Sequence, residues 1–297
     1  MPRDVIVVGA GVAGLSAAMQ ASRLGLSCLV LEKLVPGGGV CLAKRVENYP
    51  GYESIDGWSL ARKFEAQALE AGAEIREAEA LSVVPAEECF RITTAGEELA
   101  ARAVIIATGT REKMLGVPGE RRLRGVGVHY CAPCAGYSYK NKRVAVVGGD
   151  SYAVANALFL AEIAEEVILI FEGEKPGAEK PLLRRLEEAR NIKLLPNARV
   201  TAFSGKERLA EVELSVAGEQ RTLSIDGAFI YAGRMPNSEL VEVEKDAEGY
   251  ILVDCGMRTS ARGVFACGGV VRRRASIASS VGDGVVAALS AAEFLGV

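Results

Sequence analysis

At 297 residues, with hydrophobic side chains making up 49% of the total, the chain is long enough for two domains with sizeable cores. A formal net charge of −3 and no block of like charge argue against a nucleic-acid binder or a charged tail. Seven cysteines dispersed through so long a chain fit a reduced, cytoplasmic thiol set better than a disulfide framework, and no uncharged apolar run is expected to cross a bilayer.

Met1-Pro2-Arg3-Asp4 leads directly into a strand, so no signal peptide is expected. Asp4–Val8 is a short β-branched run, the pattern of a strand buried on both faces. Gly9-Ala10-Gly11-Val12-Ala13-Gly14 follows at once, then an alanine-rich helix to about Leu24 and a second strand, Ser27–Leu31, ending at Glu32. This is GxGxxG in the context it needs: strand, tight turn, helix, strand, acidic residue. Gly9 permits the turn, Gly11 lets the backbone approach a pyrophosphate, and Gly14 lets the helix pack close to the strand. The helix N-terminus offers free N–H groups to the phosphates, and Glu32 offers an acceptor to ribose hydroxyls.

Further on, Ser59–Ala71 reads as a helix and Glu74–Glu77 as a strand, with Phe90–Thr94 and Leu99–Ala101 as a hairpin. Ala103–Ala107 reads as a separate buried strand ending in Thr108-Gly109, and Val117-Pro118-Gly119 as a linker. A second strand–turn–helix–strand unit then echoes residues 4–32: strand Arg143–Val147, turn Gly148-Gly149-Asp150-Ser151, helix Tyr152–Ala164 and strand Glu166–Phe171. Strands are expected near Lys193–Leu195, Glu211–Val216, Ala228–Tyr231 and Tyr250–Val253, and a final helix from about Gly284 to Phe294 that returns to the first domain.

Between the two echoes stands Cys131-Ala132-Pro133-Cys134. Two cysteines at this spacing suit a redox-active disulfide. They also suit half a structural zinc site or an inert pair, but zinc wants a second Cys/His pair, and the other cysteines (Cys28, Cys41, Cys89, Cys255, Cys267) stand singly. The nucleotide fingerprints on either side favour the redox reading, with no metal.

With GAGVAG and Glu32, VENYPG at 46–51, Ala107-Thr108-Gly109, CAPC before the second nucleotide fold, GRMPN at 233–237 and MRTSARGVFACG at 257–268, the sequence resembles the low-molecular-weight thioredoxin reductases over nearly its full length. The resemblance implies an α/β fold of two Rossmann-like (three-layer ββα/βαβ) domains, the second inserted into the first. Residues 1–112 plus 243–297 would bind FAD, and 113–242 would form an NAD(P)-binding-like domain carrying the redox pair. It implies FAD contacts from Gly9, Gly11, Ala13, Gly14, Glu32, Lys33, Gly38, Val46, Asn48, Val83, Ala107, Thr108, Gly109 and Gly268. Cys134 would face the flavin and Cys131 would attack a partner disulfide on a thioredoxin- or glutaredoxin-like protein. The enzyme would be a homodimer whose inserted domain rotates about hinges near Val117-Pro118-Gly119 and Val241–Glu244.

The departures from that family are specific. Asp150 stands where the second fingerprint needs glycine; at ~4 Å and an effective dielectric near 20 its repulsion of a phosphate is on the order of 4 kcal/mol. The positions that grip the NADPH 2′-phosphate read Phe171, Glu172, Gly173 and Gly177. NADPH and NADH are therefore not expected to serve, and ferredoxin is a candidate donor. The acid that usually follows the second cysteine is Ala135, leaving solvent or His129 to supply a proton; near the flavin the family's side chains are replaced by Gly39, Gly269, Ala275 and Ser276. Two other functions fit these residues: a flavin-dependent dithiol oxidase, and a degenerate non-catalytic paralogue.

Overall fold

The computed structural model describes residues 2–272 and 275–297. The chain divides into two compact units, Met1–Arg111 with Met235–Val297, and Glu112–Arg234.

In the first unit, strand β1 (Arg3–Val8) leads through the Gly9–Gly14 turn into helix α1 (Val12–Arg23) and strand β2 (Cys28–Glu32). Helix α2 (Gly57–Glu70) is capped by Asp56, whose carboxylate accepts the Ser59 N–H at 2.8 Å. Strands β3 (Glu74–Glu77), β4 (Ala80–Pro85), β5 (Phe90–Thr94) and β6 (Glu98–Ile106) follow. The two segments expected as Leu99–Ala101 and Ala103–Ala107 are one strand. The front half of β6 pairs antiparallel with β5 and the rear half parallel with β1, so a change of partner reads like a break in the sequence.

The chain crosses along strand β7 (Thr110–Glu112) into the second unit. Strand β8 (Val128–His129) precedes helix α3 (Ala132–Ala135), then come strand β9 (Arg143–Val147), helix α4 (Ser151–Ala161), strand β10 (Glu166–Ile170) and helix α5 (Lys180–Glu188). Strands β11 (Ile192–Leu195), β12 (Ala198–Ser204), β13 (Glu211–Val216), β14 (Glu219–Ser224) and β15 (Gly227–Ile230) complete it. Strand β16 (Arg234–Pro236) leads back to strand β17 (Val264–Ala266) and helix α6 (Ile277–Leu295) of the first unit.

Each unit is three layers around two cores. In the first, the parallel order β3-β2-β1-β6 is continued by β17 on β6, while β6-β5-β4 runs antiparallel. One face packs on α1 and α6, with Leu15, Ala17, Ala288 and Ala291 fully buried; the other packs under Val83, Ile92 and Val241. In the second, the parallel sheet β11-β10-β9-β15-β8 carries α4 on one face and the antiparallel sheet β12-β13-β14 on the other.

Several details differ from the sequence reading. The return falls at Met235, before residue 243, because Asn237 donates to the Thr108 carbonyl (3.0 Å) and Val241 bridges Val83. Val117-Pro118-Gly119 is no linker: the Phe203 N–H bonds the Pro118 carbonyl, and a Cβ on Gly119 would stand 1.9 Å from the Phe203 oxygen. Tyr250–Val253 makes only an isolated bridge, Lys245 with Ile251. Helix α6 begins at Ile277, earlier than Gly284, and is long and apolar enough to meet the length and composition test for a membrane span. It lies against α1, and a Cβ on Gly284 would sit 2.1 Å from the Ala13 carbonyl oxygen.

Candidate functional site

Two turns, built alike, decide what each unit can hold. In the first, β1 ends and Gly9 takes φ +102°, which only glycine adopts freely; a Cβ there would lie 2.5 Å from the Ala107 carbonyl oxygen. Gly14 lets α1 touch this turn, since its Cβ would fall 1.9 Å from the Gly9 oxygen. Gly11 is the N-cap of α1 with no side chain to cap the first-turn amides, and the space where its Cβ would go is open. Uncapped N–H groups, a helix dipole and an open corner suit a pyrophosphate. Glu32, at the end of β2, faces the same turn: its carboxylate accepts the Ala10 N–H at 2.8 Å and the Leu34 N–H at 3.0 Å. The Gly37 N–H bonds the Ala10 carbonyl at 2.7 Å, bringing Gly38 beside Gly11.

The other expected cofactor residues are distributed as follows. Ala13 is buried in the first turn of α1, and a Cβ on Gly268 would come within 2.7 Å of its methyl group. Ala107 continues β6, and the Thr108 hydroxyl donates to the Asn237 carbonyl at 2.6 Å while Gly109 accepts the Asn237 N–H. Val46 is buried and bonded to Ile55; Asn48 is exposed beyond it. Val83 is a core residue of β4 whose N–H is taken by Leu240. Lys33 turns to Glu79 at 3.7 Å. A Cβ on Gly39 would meet open space, and Gly269 lies beside Gly109 and Thr110. The adenosine and pyrophosphate end of a dinucleotide therefore fits the residues present.

The second turn repeats this geometry with different side chains. Gly148 matches Gly9, with φ +138° and a Cβ that would lie 2.3 Å from the Tyr231 carbonyl oxygen. The Gly177 N–H bonds the Gly149 carbonyl as Gly37 bonds Ala10. Asp150 occupies the place of Gly11 with the same extended backbone, φ −83° and ψ 176° against −69° and 175°. Its carboxylate caps α4 by accepting the Ala153 N–H at 2.8 Å, so the first turn is already served by an anion of the chain itself. Phe171, buried at the end of β10, stands in place of Glu32.

Two further replacements escape a reading of the sequence. Strand register matches Ala107 with Tyr231 and the shared turn matches Ala13 with Tyr152. These tyrosines pack edge to face, 5.2 Å between ring centres, at positions where the first unit has two buried alanines. Overlaying the two repeats residue by residue is the signal that finds them.

The redox pair lies in the second unit. Cys131 and Cys134 form a disulfide with Cα atoms 5.4 Å apart. Cys131 is the N-cap of α3 and its sulfur accepts the Cys134 N–H at 3.3 Å; Pro133 has no N–H to satisfy. Cys131 is half-buried and Cys134 exposed. The strand entering the motif is anchored by the fully buried Glu120, which accepts the Leu115 and Gly116 N–H groups and the Tyr130 hydroxyl at 2.7 Å. His129 does not face the cysteines with a free Nε2: that atom meets the Tyr139 hydroxyl at 2.6 Å, the ring stacks on Phe229, and burial lowers its pKa. Cys28 and Cys267 are buried, which pushes the Cys28 thiol up to about 12 and Cys267 higher still. Among the described residues no three His, Cys, Asp or Glu side chains gather as a metal-ligand set.

The sequence model of the pyridine nucleotide-disulphide oxidoreductase family matches residues 3–288. The chain belongs to that family. Its thioredoxin reductase branch is shown by a thioredoxin reductase of Treponema pallidum, 37% identical over 98% of this chain and 97% of the relative. The structure of a thioredoxin reductase from T. acidophilum is similar at TM-score 0.93 and 40% identity, covering 98% of both chains. A ferredoxin-flavin thioredoxin reductase of Clostridium acetobutylicum is similar at TM-score 0.57 and 26% identity, covering 100% of this chain and 98% of that one. As a member of this branch, the chain is a thioredoxin reductase-like flavoprotein disulfide oxidoreductase with Cys131 and Cys134 as its disulfide.

Proposed function

We propose that this enzyme moves electrons between FAD and the Cys131–Cys134 pair and on to a thioredoxin- or glutaredoxin-like protein, with a donor other than NADPH or NADH. The observation that carries the donor reading is the difference between the two turns: Gly11, Ala13, Ala107 and Glu32 in one, Asp150, Tyr152, Tyr231 and Phe171 in the other. A dinucleotide at the second turn would have to displace a carboxylate from a helix N-terminus and push apart the packed rings of Tyr152 and Tyr231. Phe171, Glu172, Gly173 and Gly177, the positions that match the family's 2′-phosphate grip, carry no positive charge. A one-electron donor of the ferredoxin class needs no such pocket, which makes it the candidate. One ferredoxin-flavin thioredoxin reductase is among the structures to which the chain is similar.

FAD, when bound, supplies a carrier that accepts and releases electrons and communicates with a disulfide. The chain holds it through the α1 N-terminus, with Glu32 directed to the ribose and Gly38, Gly109 and Gly268 allowing close approach; Met1–Arg111 with Met235–Val297 is the FAD-binding unit. Cys131 is the thiol that attacks the partner's disulfide, because its sulfur already accepts a backbone N–H that favours a thiolate. The enzyme works in the cytoplasm as a homodimer.

The test is spectroscopic. Purified protein carrying flavin should bleach under dithiothreitol without oxygen, and neither NADPH nor NADH should bleach it. A protein that is colourless and takes up no added FAD would refute the reading. Cys134→Ser should trap a mixed disulfide between Cys131 and a thioredoxin-like partner; trapping by Cys131→Ser instead would reverse the assignment.

A further inference from the structure

Tyr231 is one residue that the proposed electron path leaves without a task. Its ring lies at the end of β15, buried to 4% exposure and wedged against Tyr152. Its hydroxyl oxygen accepts the Ala132 N–H at 2.9 Å, the backbone amide next to Cys131. Ala132 is fully buried, so this phenol satisfies a donor that water does not reach. At the start of α3 the amides divide between two acceptors: the phenol takes the first, proline removes the second, and the Cys131 sulfur takes the third. The phenol oxygen and the Cys131 sulfur thus sit at the same helix end. A phenol also carries a proton to donate, and among the described residues nothing accepts it while the disulfide is closed.

We infer that Tyr231 is a positioning residue for the redox pair, holding the cysteine turn through Ala132 and turning its free O–H onto the Cys131 thiolate once the disulfide opens. Opening the Sγ–Sγ bond takes two electrons and one proton from the reductant and yields one thiol and one thiolate. The phenol transfers neither; it supplies a hydrogen bond to the charged sulfur. Such a bond is stronger to a thiolate than to a thiol, so it favours the ionised, nucleophilic form. It also gives a role to a tyrosine that stands where the first unit has Ala107, and it supplies a donor beside a motif whose next residue is Ala135. The inference rests on the Cys131–Cys134 pair being redox-active.

The experiment follows alkylation of Cys131 against pH, by peptide mapping after dithiothreitol reduction, in the wild-type chain, Tyr231→Phe and Tyr152→Phe. Tyr231→Phe should shift the profile to higher pH and slow alkylation at neutral pH about tenfold, the difference between a charge-assisted and a neutral hydrogen bond. Tyr152→Phe should leave it in place. A Tyr231→Phe profile that overlays the wild type overturns the inference and leaves the redox reading standing. A wild-type pair that dithiothreitol cannot open overturns both. Should Tyr231→Phe not fold, the assigned Tyr231 resonance of the wild-type chain labelled with 13Cζ-tyrosine reads the same point, because that shift reports whether a phenol donates or accepts. It should move toward the donor value on reduction, and an unchanged shift overturns the inference.

Discussion

Asp150→Gly would give the second turn the backbone of the first, yet Tyr152, Tyr231 and Phe171 would still stand where the first unit has Ala13, Ala107 and Glu32. Rapid flavin reduction by NADPH is therefore not expected in that variant, and its appearance would show that the carboxylate was the sole barrier. Asp150→Ala removes the cap on Ala153 and should cost about 1 kcal/mol in urea unfolding. Glu32→Ala deletes an acceptor at the ribose position and should weaken FAD binding by about 1.5–3 kcal/mol, roughly ten- to a hundredfold in Kd by flavin titration. His129 gives a pH signature. Burial lowers its folded pKa, so the unfolded chain binds more protons there. Its stabilising contribution is full above the ordinary histidine range and is lost as pH falls through that range toward the folded value. The stability lost between neutral and mildly acid pH should shrink in His129→Gln, as measured by denaturant midpoints; an equal loss would remove His129 from the account. The first fingerprint is legible because each glycine has a steric reason that spacing reveals. Tyr152 and Tyr231 are not, because alone each reads as an ordinary core aromatic and only the repeat exposes what they replace.

Elements are legible where one partner or one face governs them. β1, β9 and β10 are apolar on both faces and announce themselves. β6 reads as two strands because it changes neighbours midway. Tyr250–Val253 has the composition of a strand, although Tyr250 donates to the Asp246 carboxylate and Ile251 to the Val270 carbonyl. The start of α6 is hidden by Gly282 and Gly284, which read as breakers. Ser276 and Ser279 form a reciprocal capping box, and Arg272 holds Asp283 through two 2.8 Å bonds. Gly284 exists for close approach, since any side chain would meet the Ala13 carbonyl. Gly284→Ala should therefore destabilise the first unit by about 1–3 kcal/mol, whereas Gly282→Ala, with open space around it, should not. Thermal melts of the two variants test this directly; matching melting points would mean that α6 does not pack on α1 as described.

At the scale of the molecule, the chain is one strand–turn–helix–strand plan used twice, with Gly11, Ala13 and Ala107 at the turn of one unit and Asp150, Tyr152 and Tyr231 at the turn of the other. Sequence shows the repetition, because strand–turn–helix–strand units recur with glycine at the turn. It places the return too late because residues 235–242 read as the end of the inserted domain until Asn237 and Val241 are seen bonded to the first unit. The proposed closure of the second turn to nicotinamides bears on the whole enzyme through its electron supply. The most direct measurement is anaerobic reduction of the purified flavoprotein in three parallel cuvettes with NADPH, NADH and reduced ferredoxin. Reduced ferredoxin should bleach the flavin while both nicotinamides leave it oxidised; stoichiometric bleaching within seconds by NADPH or NADH would contradict the account.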